Sequence, residues 1–273
     1  MKKGLKRDTI DKFYTKSNIV LECLEHIDKY FEIKDDHIII EPSAGNGAFL
    51  LELETKYPNN KILAFDIKPD NNKITELDFI KFDYSSIVDK TVHIIGNPPF
   101  GRQSSLCKSF IKKCCNFATT ISFILPKSFK KVSFEKTFLI EFHLKFSIDL
   151  DENAFTLDGN NHNVPSIFQI WKKEDIKRVV IKDELSKYIS FVKKNDNPDL
   201  SIRRVGVNTT KCEKEINTKN IQSHYFVKIK DDIDIDSFME EFNKLSFDDK
   251  DNTVGPKSIS KQELIKTVNT IEF

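Results

Sequence analysis

Short apolar runs alternate with helical patterns through the first half of the chain. Strands are predicted where β-branched and aromatic residues cluster, and helices where apolar residues recur every three or four positions. In chain order the pattern predicts helix 18–31, strand 37–40, helix 47–54, strand 62–65, a strand near 78–82, strand 92–95, helix 106–118 and strand 121–125. Because strands that alternate with helices join through right-handed crossovers, we expect a parallel sheet covered by helices on both faces.

The pattern changes after about residue 140. Two apolar segments, 143–150 and 165–171, lie on either side of a polar stretch at 158–163. This arrangement predicts two antiparallel strands joined by a loop. We expect this hairpin to close one edge of the parallel sheet.

The region 176–273 has a pattern of its own and predicts a small α+β region. Strands are expected near residues 179–181, 201–207 and 225–229, and a helix over 260–271. Ser260 and Glu263 have the spacing of a capping box at the start of that helix. The sequence therefore predicts two parts, a larger domain over residues 1–175 and a smaller region over residues 176–273.

Composition and charge limit the function without identifying it. The chain has 273 residues, 39% of them hydrophobic, which is enough for one large domain and a smaller one. The net charge is +1, so any contact with nucleic acid must come from local patches. The five cysteines include no CxxC pair, which argues against a disulfide framework or a structural zinc site. No stretch is apolar enough to span a membrane, so we expect an intracellular protein, in the cytoplasm, nucleus or nucleoid, that needs no metal.

A segment with two glycines, residues 41–47, joins a predicted strand to the next helix. Its small residues allow a ligand to approach the backbone, and the helix offers free N–H groups at its N-terminus. Asp66 ends the next strand, about 20 residues on, where an acidic residue in doubly wound folds binds a ribose. Asp66 could also simply cap the following turn. Dinucleotide binding is disfavoured because the glycine pattern is not GxGxxG.

The fourth predicted parallel strand ends in Asn97-Pro98-Pro99-Phe100. The two prolines fix the backbone and remove two N–H donors, so the turn is rich in hydrogen-bond acceptors. A turn of this kind suits one chemical problem, which is to activate the N6 amine of adenine. This amine is a poor nucleophile because its lone pair is delocalised into the ring. The Asn97 side-chain oxygen and the Pro98 carbonyl could hold its two hydrogens and favour a tetrahedral nitrogen, while Phe100 stacks on the base. Catalysis would then come from positioning and electrostatics.

These motifs together resemble the amino-group class I methyltransferases, which use S-adenosylmethionine, and their order resembles that of the gamma-type N6-adenine enzymes. The resemblance covers roughly residues 11–172 and implies a Rossmann-like fold with a mostly parallel seven-stranded sheet. It implies that residues 1–175 form the catalytic, cofactor-binding domain, and we expect 176–273 to be the substrate-binding region. It implies that Thr15 meets the methionine carboxylate of the cofactor. Asp66 would hold the ribose hydroxyls, and Asp78 and Phe79 would read the adenine of the cofactor.

The residues that the resemblance implicates fall into two groups. The implied cofactor-binding residues are Thr15, Glu41, Pro42, Ser43, Ala44, Gly45, Gly47, Asp66, Ile67, Asp78 and Phe79. The implied catalytic residues are Asn97, Pro98, Pro99 and Phe100.

The expected partner is a nucleic acid, DNA or RNA, that contains the target adenine. Arg102 follows the catalytic turn, and a lysine cluster follows the fifth strand at the same edge of the sheet. Phe155 is a candidate for a second aromatic residue beside a flipped base. The candidate substrate-binding residues are Phe100, Arg102, Lys127 and Phe155, to which Lys130, Lys131, Arg203 and Arg204 would add positive charge.

Several substrates remain open at this point. The region 176–273 is small for a separate sequence-reading domain, which leaves a short DNA site or a structured RNA, with DNA slightly favoured. Similar enzymes methylate a glutamine amide in release factors, but these usually carry Tyr where this chain has Phe100. A binding subunit without catalysis should show damage in the cofactor segment or the turn, and neither is damaged. A partner subunit is compatible with the sequence.

Overall fold

Seven strands form the main sheet in the computed structural model, which describes residues 13–157, 159–230 and 232–273. The elements of this first part of the chain are β1 (Tyr14–Thr15), α1 (Ser17–Tyr30), β2 (Ile38–Glu41), α2 (Ala48–Lys56), β3 (Lys61–Asp66), β4 (Thr75–Glu76), β5 (Val92–Gly96), α3 (Ser105–Cys114), β6 (Thr120–Pro126), α4 (Val132–Glu135), β7 (Phe142–Asp149), β8 (Phe155–Leu157), β9 (Asn160–His162) and β10 (Ser166–Lys173). The strand order is β4-β3-β2-β5-β6-β10-β7.

Among the described strands of this sheet, β10 alone runs in the direction opposite to the other six. It pairs with β6 on one side and with β7, the edge strand, on the other. The predicted fold class is therefore confirmed: a Rossmann-like α/β fold with a mostly parallel seven-stranded sheet and an antiparallel hairpin at its edge.

Both faces of the sheet are buried, because neighbouring residues of each central strand point to opposite faces. On β2, Ile40 packs in the same apolar cluster as Ile111 of α3, whereas Ile39 packs in the cluster that contains Leu24 of α1. All four of these side chains are fully buried. A continuous apolar run such as Ile38, Ile39 and Ile40 is typical of a strand that helices cover on both sides.

The strand expected near 78–82 lies earlier in the chain. Thr75 and Glu76 form β4, whereas Phe79–Lys81 is a short 3₁₀ turn. Asp78 caps this turn, since its side chain accepts a hydrogen bond of 3.1 Å from the backbone N–H of Ile80. A capping aspartate favours a turn over an extended strand, which explains the error in the prediction.

The polar stretch at 158–163 is not a simple loop. β8 and β9 lie on either side of residue 158, which is outside the described residues, and they pair with each other and with β1 in a separate three-stranded sheet. In this sheet Thr15 lies opposite Phe155. Pairing of β1 with β8 joins residues far apart in the chain and leaves no local sequence pattern, so this three-stranded sheet was not predicted.

The chain divides into two units, Met1–Val179 and Val180–Phe273. The second unit contains β11 (Ile189–Val192), β12 (Leu200–Arg203), β13 (Cys212–Glu213), β14 (His224–Ile229), α5 (Ile235–Lys244) and α6 (Lys261–Val268). Its antiparallel sheet has the order β11-β14-β12-β13, in agreement with the predicted α+β character. The predicted capping box of α6 is present, with Ser260 and Glu263 as its two members.

The strand expected at 179–181 is wrong. These residues have no regular secondary structure, and Val179 is 89% exposed, so their apolar character does not mark a core position. β12 also ends sooner than predicted, at Arg203. Within the described ranges, no helix has the length and apolar character needed to cross a membrane.

Two leucines of α2, two positions apart, provide a test of the packing. Leu53 is fully buried, whereas Leu51 is 62% exposed. We expect Leu53→Ala to lower the free energy of unfolding by about 2–5 kcal/mol, because it removes buried methyl groups and leaves a cavity. The matched control Leu51→Ala should change it by roughly 0.5 kcal/mol or less. Urea denaturation measures both, and equal losses would contradict the assigned faces of α2.

Candidate active site

A cavity of about 510 Å³ lies at the carboxyl ends of β2, β3 and β5. This is within the range of small-ligand pockets. It is lined by most of the residues implicated from sequence: Thr15, Glu41, Pro42, Ser43, Ala44, Gly45, Asp66, Ile67, Asp78, Phe79, Asn97, Pro98, Pro99, Phe100 and Phe155. Their convergence shows that separate segments of the chain build one site.

The strand order explains the position of the cavity. β3 and β4 extend the sheet on one side of β2, whereas β5 and β6 extend it on the other. The connections that leave β2 and β5 therefore diverge and open a crevice between them, which is where ligands bind in doubly wound folds.

The glycine-containing loop after β2 has a backbone that favours glycine. Gly45 and Gly47 have φ angles of +54° and +88°. A Cβ atom on Gly47 would lie 2.9 Å from Nδ2 of Asn71, so a side chain there would strain the turn into α2. Gly47 does not line the cavity, and its role in this structure is to shape the loop.

Asp66 holds this loop against the end of β3. One of its carboxylate oxygens accepts a 2.8 Å hydrogen bond from the backbone N–H of Gly45. The other accepts a 2.8 Å hydrogen bond from the backbone N–H of Lys68. The turn-capping role considered from sequence is thus present. A carboxylate oxygen can accept more than one hydrogen bond, so a further donor can still bind. The ribose-binding role stays a prediction.

Asn97 presents an acceptor that has no partner. Its Nδ2 donates a 3.2 Å hydrogen bond to Oγ1 of Thr15, and its backbone carbonyl accepts a 2.9 Å hydrogen bond from Oγ of Ser43. Its Oδ1 atom is buried, and no described residue donates to it. Because an unsatisfied buried acceptor costs about 1–3 kcal/mol, this atom suits a donor supplied by a ligand.

Glu41 presents a second such atom. Its side chain is buried, and Oε2 has no hydrogen-bond partner among the described residues. Burial raises the pKa of Glu41 from 4.5 to about 8. A hydrogen bond from the backbone of Leu50 lowers this pKa, and the negative charge of the nearby Asp66 raises it. The carboxyl is therefore largely protonated at neutral pH, and a cation in the cavity would favour its ionised form.

The aromatic residues differ in how far a ligand can reach them. Phe100 is half-buried, whereas Phe155 and Phe79 are each only 1% exposed. Phe79 stacks on Phe82 and Phe110 at centroid distances of 5.9 and 5.5 Å. The more accessible apolar side chain beside Phe79 is Ile80, which is 39% exposed and also lines the cavity.

Sequence reasoning assigned no role to several lining residues: Phe13, Tyr14, Asn46, Ala48, Phe49, Leu77, Ile80, Leu106 and Phe110. Phe13 lies two residues before Thr15, and its ring stacks on His162 of β9 at a centroid distance of 4.7 Å. The pairing of β1 with β8 and the hydrogen bond from Asn97 to Thr15 hold this segment at the cavity.

The basic residues at this edge form a smaller cluster than predicted. Lys130 pairs with Asp149 at 2.8 Å, and Lys131 is 7% exposed, so neither offers a free charge to a substrate. Arg102 is exposed and Lys127 half-buried, each directly after a strand end or turn of this edge, but neither lines the cavity. Arg203 and Arg204 belong to the second unit.

Comparison with known proteins shows likeness in fold. The sequence matches no protein-family model and no curated protein. A candidate RNA methyltransferase from Pyrococcus horikoshii is 14% identical, with 63% of this chain and 93% of that chain covered and a TM-score of 0.42. A class I S-adenosylmethionine-dependent methyltransferase from Listeria monocytogenes is 18% identical, with 63% and 64% covered and a TM-score of 0.44. An S-adenosylmethionine-dependent methyltransferase from Anabaena variabilis is 12% identical, with 59% and 87% covered and a TM-score of 0.42. Such identities and scores carry no statement about activity.

The buried Glu41 predicts a pH dependence of stability. Because its pKa rises from 4.5 to about 8 on folding, the stability that its proton contributes is complete below pH 4.5 and is lost as the pH rises through 8. Glu41→Gln stays neutral, so we expect it to become progressively more stable than the wild type between these values. Urea denaturation across this pH range measures the difference. The control Glu25→Gln, at an exposed position of α1, should show the same dependence of stability on pH as the wild type. If Glu41→Gln also ran parallel to the wild type, the raised pKa of Glu41 would be refuted.

Proposed function

We propose that this chain is an S-adenosylmethionine-dependent methyltransferase that acts on N6 of adenine in a nucleic acid, with DNA slightly favoured. The observation that carries this proposal is the buried Oδ1 of Asn97, to which no residue in the described part of the chain donates. It lies in an acceptor-rich turn that faces the same cavity as the glycine-containing loop. An acceptor of this kind suits an amino group that must be held and oriented.

The cavity also fits the proposed cofactor. When bound, S-adenosylmethionine supplies a methyl group on a positively charged sulfur. Glu41, whose buried carboxyl has a free oxygen and whose pKa is about 8, would gain from a nearby positive charge. Asp66 retains capacity for ribose hydroxyls, and the Thr15 hydroxyl lies within reach of Asn97. Ile67 and Ile80 offer exposed apolar surface to an adenine ring.

The turn would prepare the amine for reaction. Oδ1 of Asn97 and the carbonyl of Pro98 would each accept a hydrogen bond from the amine and so direct the nitrogen lone pair away from the ring. Thr15 and Ser43 hold Asn97 in place through its amide nitrogen and its backbone carbonyl. Phe100, half-buried at the cavity, would stack on the target base. No covalent bond between enzyme and substrate is needed, since positioning and electrostatics carry the step.

The substrate must bring its adenine out of a stack. A base in a duplex would have to be flipped, at a cost of a few kcal/mol. Arg102, exposed beside the turn, would contact a phosphate near such a base. An RNA adenosine substrate is the first alternative, and a glutamine amide in a protein is the second, because the acceptor geometry would suit either amino group.

The roles of Asn97 and Asp66 can be separated by substitution. We expect Asn97→Ala to lower kcat by about a hundredfold or more, because it removes an acceptor that acts in the transition state, while cofactor affinity stays near normal. Asp66→Ala should instead weaken cofactor binding, through its own hydrogen bonds and through the Gly45 loop that it holds. Isothermal titration with S-adenosylmethionine and single-turnover methylation measure both quantities.

The control for these variants is Asn116→Ala. The Asn116 amide donates to the carbonyls of Lys112 and Lys113, away from the cavity, so both quantities should remain unchanged. If Asn97→Ala lost cofactor affinity and turnover in equal measure, Asn97 would be structural, and its proposed role would be wrong.

The experiment that tests the function is transfer of labelled methyl from S-adenosylmethionine, with unmethylated DNA, total RNA and a Gly-Gln peptide offered in parallel. We expect N6-methyldeoxyadenosine after digestion of the DNA. N6-methyladenosine in the RNA would mean that RNA, and not DNA, is the substrate. Methylated glutamine in the peptide would mean that the enzyme acts on a protein amide, and not on adenine. Cofactor binding without any transfer would overturn the proposal as it stands for this chain alone.

A further inference from the structure

The second unit contains a cavity of its own, of about 420 Å³. It lies where β11 and β14 pair, next to the first residue of α6. The residues that matter for its chemistry are Phe191, Lys193, Lys194, His224, Tyr225 and Lys261. No aspartate or glutamate is among the described residues that line it.

Two aromatic rings form a fixed wall. Phe191 of β11 and Tyr225 of β14 meet edge to face, with centroids 5.3 Å apart and an interplanar angle of 83°. The Tyr225 hydroxyl donates a 3.1 Å hydrogen bond to the carbonyl of Ile259, which holds the ring in place. Phe191 is half-buried and keeps accessible surface. Tyr225 is 9% exposed, so Phe191 is the ring that a planar base can reach, since every base presents a π-face.

The rings are surrounded by positive charge. Nζ of Lys261 lies 4.6 Å from the centroid of Phe191, and the guanidinium of Arg204 lies 5.1 Å from that of Tyr225. Lys193 and Lys261 are both exposed. Lys194 is already committed, because its ammonium donates to two backbone carbonyls. Lys193 and Lys261 therefore remain as the lining ammonium groups available to an anion.

His224 adds a neutral polar group. Its Nδ1 lies 3.0 Å from Oγ of Ser223 and 3.2 Å from the carbonyl of Asn220, and the residue is 7% exposed. Burial lowers the pKa of His224, against the hydrogen bond to Asn220, and the charges of Arg203 and Lys219 lower it further. The ring is thus neutral at pH 7 and adds no positive charge to those of the lysines.

We propose that this cavity binds an unpaired nucleotide of a nucleic-acid chain, with the base against Phe191 and the phosphates at Lys193 and Lys261. The proposal deepens the proposed function and rests on it for the choice of a nucleic acid as substrate. An acidic peptide would use the two ammonium groups but would have no need of the aromatic wall. Aromatic rings beside ammonium groups are the usual means of binding single strands.

The test measures binding of the full-length chain to fluorescently labelled single-stranded DNA and RNA by anisotropy, with a duplex and a poly-glutamate peptide as competitors. Lys193→Gln/Lys261→Gln should weaken binding by roughly tenfold and reduce the slope of log K against log salt by about 1.4, since each contact to a single strand contributes about 0.7. Phe191→Leu should weaken binding with no change in that slope, because stacking releases no counterions.

The matched control is Lys228→Gln/Lys266→Gln. These exposed lysines lie on β14 and α6 but outside the cavity, so the control removes equal charge from the same unit. It should bind like the wild type, and thermal unfolding should show all variants folded. Equal losses in the control and the cavity variant, competition by poly-glutamate as strong as by single strands, or no binding by the wild type would each overturn the inference.

Failure of this inference can be told apart from failure of the proposed function. The anisotropy measurement needs neither S-adenosylmethionine nor methyl transfer. Adenine methylation with lysine-independent binding would reject the cavity alone. Lysine-dependent binding of single strands without adenine methylation would reject the proposed reaction and support the cavity as a nucleic-acid site.

Discussion

Parallel pairing of β2 with β5 is the constraint on which the candidate site depends. The register places Ile38, Ile39 and Ile40 opposite Val92, His93 and Ile94, so both strands end at the same level. Glu41 and Asn97 therefore come to one cavity although 56 residues separate them. Because strand order reverses at this pair, the two connections diverge and leave room for a ligand.

The site carries costs that the rest of the fold must offset. Oδ1 of Asn97 and Oε2 of Glu41 are buried without a hydrogen-bond partner among the described residues, and Glu41 holds a proton at neutral pH that an exposed carboxyl would lose. Each such group lowers the free energy of unfolding by about 1–3 kcal/mol. Burial of the two apolar clusters on the faces of the sheet offsets this loss. Unsatisfied polar groups that persist inside a well-packed core indicate binding more strongly than an apolar pocket would.

The two units suggest a division of labour in the proposed enzyme. The first contains the buried acceptors that suit cofactor and target amine, whereas the second contains an aromatic and cationic cavity. The overall charge of +1 hides this local concentration of lysines. Acidic residues elsewhere in the second unit, such as Asp236 and Glu240 on α5, balance it. Local patches, and not net charge, would then provide contact with a nucleic acid.

The sequence by itself determined the parallel sheet, the loop after β2 and the turn after β5, because buried runs, glycines and prolines act over a few residues. Tertiary structure decided which of these residues lie together. Pairing of β1 with β8 brought Phe13 and Thr15 to the cavity, and packing enclosed Phe79 and Phe155. The Lys130–Asp149 pair removed an expected free charge, and the cavity between β11 and β14 had no local signal. These features depend on contacts between distant residues, which local composition and periodicity do not encode.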